Sequence, residues 1–198
     1  MILLVAILAG LAVGLFFARL QKHPWTVPPL HKPWLVIIAF LPQFFTLYLP
    51  ATRTWVKDDL AAAGLIVSLA LLLVFCWFNR RLSGVWLLAL GLACNLLVIA
   101  ANGGFMPISP QTASRIVLPE ILATYGNGDR FGTKDILLPP EQTRLIWLSD
   151  FFLPPKGFPY QVAFSPGDVF VAAGAFWLML TQGKTLKATK IRMVKDRE

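Results

Sequence analysis

Residues 60–78 form a run of nineteen with no charged side chain. As an α-helix, rising 1.5 Å per residue, such a run is roughly 30 Å long, the thickness of a bilayer's hydrocarbon core. The run does not stand alone. Residues 2–18, 34–49 and 84–101 are equally free of charge, and a fifth apolar block, residues 168–182, opens on Asp168. A soluble domain carries about a quarter charged residues to wet its surface, whereas this chain of 198 has 14%. The expected fold is an all-α integral membrane protein, a single membrane domain of five transmembrane helices.

Local signals set the ends of these blocks. The first is followed, not preceded, by its basic residues Arg19 and Lys22 and lacks a small-x-small cleavage site, so it reads as a retained helix rather than a secretory signal. Residues 23–33 hold four prolines and read as an extended link. Pro42 should kink the second block. Residues 79–83 are too few for anything but a tight turn, so the third and fourth helices are antiparallel neighbours. Cys76 and Cys94 lie inside apolar blocks as small hydrophobes. His23 and His31 have no further ligands nearby, so no metal and no cofactor is expected.

Lys and Arg set the orientation. Arg19, Lys22, Lys32, Arg80, Arg81 and the six basic residues of segment 184–198 fall on one side, against Arg53 and Lys57 in the short loop opposite. The positive-inside rule places the first set in the cytoplasm, with the N-terminus outside and the C-terminus inside. Acidic residues sort the other way: eight of ten lie outside by this assignment. The formal charge of +8 therefore reports topology, not nucleic-acid binding, for which no aromatic-basic module is present. The expected partners are the bilayer, with anionic lipid at the basic cytoplasmic tail 184–198, and other membrane subunits.

The long segment 102–164 falls outside by parity and is expected to form a structured extracytoplasmic cap between the fourth and fifth helices. Ser109-Pro110 reads as an N-cap and first helical position, opening a short helix that Pro119 bends. Pro139-Pro140-Glu141 is expected to open a second helix, over 141–152, lying in the headgroup plane. Phe158, Tyr160 and Phe164 extend an aromatic belt.

Few residues offer chemistry. Gln43, Ser68 and Asn95 lie at a common depth of roughly 10 Å from the outer helix ends, as a polar pocket or as hydrogen bonds between helices. Asn102 ends the fourth helix in Asn102-Gly103-Gly104-Phe105-Met106-Pro107, its amide without an assigned partner. Asp129 and Arg130 sit in a glycine-rich turn as candidate binding residues; the ligand spacing of a calcium loop is absent. Asp150 and Asp168 both fall at the outer surface, where partial desolvation raises a carboxyl pKa, and two close acids can divide the roles of acid and base. Ser165-Pro166-Gly167-Asp168 also reads as a helix N-terminus, with Asp168 capping the backbone.

The Asn102 to Pro107 motif, the acidic stretch through Leu148-Ser149-Asp150 and the Ser165 to Asp168 opening together resemble an uncharacterised family of small bacterial polytopic membrane proteins. That resemblance implies the bacterial inner membrane and no assigned activity. The last third also resembles the lipoprotein signal peptidases in Gly126-Asn127-Gly128-Asp129-Arg130, Asp150-Phe151 and Phe164-Ser165-Pro166-Gly167-Asp168, which implies an aspartic dyad of Asp150 and Asp168. Three functions follow: a non-catalytic scaffold or accessory subunit of a membrane assembly, favoured by the lack of charged groups in the interior of the spans and by the aromatic cap; an aspartyl membrane hydrolase at the outer surface; and a small-molecule transporter.

Overall fold

The computed structural model describes residues 2–22, 24–49, 55–155, 157 and 161–181. The basic tail, His23, Phe158 and Tyr160 lie outside the described residues. Five apolar helices dominate: α1 (Ile2–Leu20), α2 (Trp34–Gln43), α3 (Asp58–Phe78), α4 (Val85–Ala101) and, at the end of the chain, α7 (Pro166–Leu180). Leu3–Leu20 and Asp58–Phe78 are long and apolar enough to cross a membrane by length and composition; Trp34–Tyr48, Val85–Ala101 and Pro166–Leu180 are shorter apolar helices. Pro42 removes one helical hydrogen bond, and directly after it α2 widens into a π-helical turn, Phe44–Tyr48, where the Thr46 hydroxyl donates to the Pro42 carbonyl at 2.8 Å.

The helices pack as a row, α1 on α7, α7 on α4, α4 on α3 and α3 on α2. Close approach in this row depends on glycine. A Cβ at Gly10 of α1 would stand 2.6 Å from the Phe176 carbonyl oxygen. Gly91 of α4 and Gly167 of α7 press backbone on backbone, and seven residues along each helix Gly84 and Gly174 repeat the contact. The buried core runs from Leu35 and Leu47 of α2 and its π turn through Leu65, Leu69, Val98 and Ile99 to Leu178 of α7. The opposite faces stay exposed and apolar, with Leu8 and Phe16 on α1, Ile37 on α2, Phe45 in the π turn, Val67 on α3 and Trp177 on α7.

Residues 102–155 and 161–164 build a cap at one end of the row. It is not all helical, contrary to the all-α expectation. β1 (Met106–Ile108) pairs in parallel with β3 (Asp135–Leu137), which pairs antiparallel with β2 (Arg130–Phe131). Two one-turn helices, α5 (Pro110–Ala113) and α6 (Pro119–Leu122), lie between β1 and β2, with Ser109 capping α5 and Pro119 starting α6. The helix expected over 141–152 does not form. Short 3-10 turns, Pro140–Gln142 and Ile146–Leu148, stand in its place, separated by Leu145 at φ +53°. Beyond them Asp150 leaves helical geometry to bridge Ile108 of β1.

Candidate functional site

β1 is the strip on which the site is assembled. On one flank it holds β3, so the Met106 N–H donates to the Lys134 carbonyl at 2.9 Å. On the other flank the Asp150 N–H donates to the Pro107 carbonyl at 3.1 Å. Residues 134–135 and 150 are thereby brought to one place, and the first turn of α7 adds Asp168. The ammonium of Lys134 lies 3.0 Å from Asp150 Oδ2, 3.8 Å from Asp168 Oδ2 and 4.0 Å from Asp135 Oδ1. Three carboxylates thus surround one cation, and the Asp150 side chain is 1% exposed.

Two oxygens of this cluster, Asp135 Oδ1 and Asp150 Oδ1, are buried with no hydrogen-bond donor while both groups are ionised. A carboxylate so placed favours its neutral form. Burial pushes Asp150 up to about 7, opposed by Lys134 and helped by the charges of Asp135 and Asp168. Burial likewise pushes Asp135 up to about 6, against the pull of Lys134 and with Asp168 adding to the rise. For Lys134 burial alone would favour the neutral amine, but the Asp150, Asp135 and Asp168 carboxylates reverse this and hold its pKa above the ordinary range.

Asp168 is held from behind. Its backbone N–H donates to Ser165 Oγ at 3.1 Å, and the Ser165 N–H donates to Asp168 Oδ2 at 3.2 Å, a reciprocal capping box. Asn95 of α4 donates to Asp168 Oδ1 at 2.9 Å and accepts from Ser165 Oγ at 2.9 Å. Gly167 is what permits this: any Cβ there would fall on the Asn95 amide.

Asp150 and Asp168, the two acids singled out by the sequence, therefore meet at a common ammonium instead of facing each other. Asn95 joins them through Asp168, but Gln43 does not: it donates to Ser68 Oγ between α2 and α3, elsewhere in the row. Asn102 binds backbone. Its amide donates to the Val98 and Arg144 carbonyls, both at 2.8 Å, and accepts from the Arg144 N–H at 2.9 Å. Asp129 accepts from the Gly126 N–H at 2.7 Å, closing its own turn. Arg130 reaches out of the cap to Asp58 Oδ1 at 3.3 Å and the Thr46 carbonyl at 3.4 Å, fastening the cap to α3 and to the π turn.

Beside the cluster lies a cavity of about 610 Å³, with Lys134, Asp135 and Asp168 in its polar wall and Leu3, Ile116, Val117, Ile121, Phe131 and Val162 among its apolar ones. Among the described residues, no group of three His, Cys, Asp or Glu is arranged to hold a metal ion.

Residues 28–180 match a protein family of unknown function, DUF5317. The chain belongs to that family. The DUF5317 region takes in α2 through α7 and every member of the acidic cluster, and leaves α1 outside. No curated protein and no solved structure matches the chain.

Lys134 and Asp135 escaped the sequence reading because they stand in a stretch of turn-like composition. The available signal was Lys134-Asp135-Ile136-Leu137, an adjacent ion pair leading into branched apolar residues, which suits the start of a strand.

Proposed function

We propose that this chain is a non-catalytic component of a bacterial membrane assembly, an accessory or scaffold subunit crossing the inner membrane five times, with its N-terminus outside and its C-terminus in the cytoplasm. The observation that carries the non-catalytic reading is the position of Lys134 between Asp150 and Asp168, at 3.0 and 3.8 Å. An aspartic dyad activates a water held between its carboxyls; here the bridging place is taken by a protein cation. The exposed apolar faces of all five helices support burial in lipid. The three shorter helices, at roughly 22 to 26 Å, suit a bilayer that thins around them or tilts its neighbours. The charge sorting along the sequence supports the orientation.

An aspartyl hydrolase is the second reading, favoured by one specific observation: burial holds Asp150 up at about 7, the range of a general acid near neutral pH. One assay separates the two. The purified full chain is incubated with lipid-linked peptides, and cleavage is compared with that of Asp150→Asn and Asp168→Asn. The scaffold reading expects no cleavage that depends on either acid, and acid-dependent turnover overturns it.

A further inference from the structure

A protein cation encircled by acids cannot serve every ligand. The Lys134 ammonium donates to Asp150 Oδ2 at 3.0 Å and has oxygens of Asp168 and Asp135 at 3.8 and 4.0 Å, so its charge is already matched, and the surplus of carboxylates repels an anionic head. Asp135 lines the cavity and its Oδ1 lacks a donor. Asp150, nearly fully buried and bonded to the same ammonium, has a second unsatisfied oxygen. The wall is therefore short of hydrogen-bond donors and of positive charge.

The remainder of the cavity is hydrocarbon. Leu3, Ile121 and Val162 line it and are also exposed at the surface, so its rim is apolar. An apolar rim admits a ligand arriving from lipid and disfavours one arriving from water. The volume of about 610 Å³ falls within the range of small-molecule sites.

We infer that this cavity binds a single-chain amphiphile with a cationic amine head, its chain against Ile116, Val117 and Ile121 and its head against Asp135 and Asp168. The amine supplies the donors that the carboxylates lack, and its charge offsets their surplus. This inference deepens the reading of the same site as one that binds in a membrane and does not cleave. The two fail separately. Acid-dependent cleavage of a lipid-linked peptide would end the non-catalytic reading and leave amine binding standing, while an amine that does not bind would end this inference alone.

The test is native mass spectrometry of the full chain in neutral maltoside micelles near neutral pH, titrated with decylamine, decanol and decanoic acid. Decylamine is expected to bind with a Kd at least about tenfold below that of the alcohol and of the acid. Val117→Trp, which fills the apolar part, and Asp135→Asn, which removes the recognising charge, are each expected to weaken the amine about tenfold. Decanoic acid binding as tightly as decylamine overturns the inference, as does undiminished amine binding in a folded Val117→Trp. If a variant fails to fold, the comparison of the three ligands on the unsubstituted chain decides by itself.

Discussion

At Lys134 the cost of a buried charge and the gain from pairing it are both large, and they oppose each other. Three carboxylates repel one another in a site mostly shielded from water, and the ammonium is what lets them coexist. Lys134→Met removes the compensating charge and is expected to cost about 3–5 kcal/mol, the penalty of breaking a buried pair from one side. Thermal unfolding in detergent measures the loss, and adding Asp150→Asn to the same chain should recover part of it. The raised pKa values of the two buried acids give a second, independent expectation. Asp135 and Asp150 bind protons more tightly folded than unfolded, from an ordinary value of 3.8 to about 6 and about 7. The stability they contribute is full below the ordinary carboxyl range and is lost as pH rises through about 6 and then about 7. Lys134 and Asp168 are the charged groups facing the pair, and Lys134 keeps its charge throughout this window. The melting temperature should accordingly fall between about pH 4 and pH 7, and Asp135→Asn should flatten that fall. Asp150 and Asp168 were legible in the sequence because each sits where a carboxyl is unusual, one in an aromatic run and one opening an apolar helix. Their partner Lys134 was not, since only the pairing of β1 with β3, across some thirty residues of chain, brings it to them.

Helices in this molecule are held by atoms that sequence periodicity does not weigh. Each long helix is apolar around most of its circumference, so hydrophobicity alone gives it no preferred face. The choice falls to glycine, which marks where two backbones can touch. Gly91→Leu would force α4 and α7 apart along the contact that also positions Asn95 against Ser165 and Asp168. It should lower the melting temperature more than Gly103→Leu despite the latter's φ of +75°, because nothing lies within 4 Å of a Cβ at residue 103. Asparagine ends both helices of the central hairpin in the same way. Asn79 closes α3 with its amide on the His31 N–H and carbonyl and on the Phe75 carbonyl, and Asn102 closes α4 with the corresponding bonds to Arg144 and Val98. One clamp fixes the link before α2, and the other holds the cap. The stretch 145–152 suits an amphipathic helix by composition, and that expectation failed because Asn102 holds the Arg144 backbone in a turn, with Thr143 extended before it and Leu145 at positive φ after it. Asn102→Ala removes the side-chain partners of the part-buried Arg144 N–H and carbonyl, at about 0.5–1.5 kcal/mol for each bond. Limited proteolysis should then cut near residues 142–148 under conditions in which the unsubstituted chain stays whole.

The row of five helices has two unlike ends. At one, α2 and its π turn are tied to the cap by Arg130; at the other, α1 packs on α7 and lies outside the family region, yet its Leu3 completes the cavity wall. Where that cavity opens depends on orientation, because the whole cap, with its acids, sits at the end of the row where α4 finishes and α7 begins. The proposed orientation, with this end outside the cell, rests on two grounds that do not share residues: basic side chains gather toward the other end and in the tail, and acidic ones gather here. A cysteine at Trp147, 81% exposed on the cap, and a second at Lys187 in the tail report on the two sides, each introduced singly into a chain with Cys76 and Cys94 replaced by alanine. In intact cells a membrane-impermeant maleimide should label the residue 147 cysteine and leave the residue 187 cysteine untouched until the membrane is opened. The reverse pattern would put the acidic cluster in the cytoplasm and end any function at the outer surface. Labelling of both in intact cells would put residues 147 and 187 on the same side, which would require α7, the apolar helix between them, to lie along the membrane instead of through it.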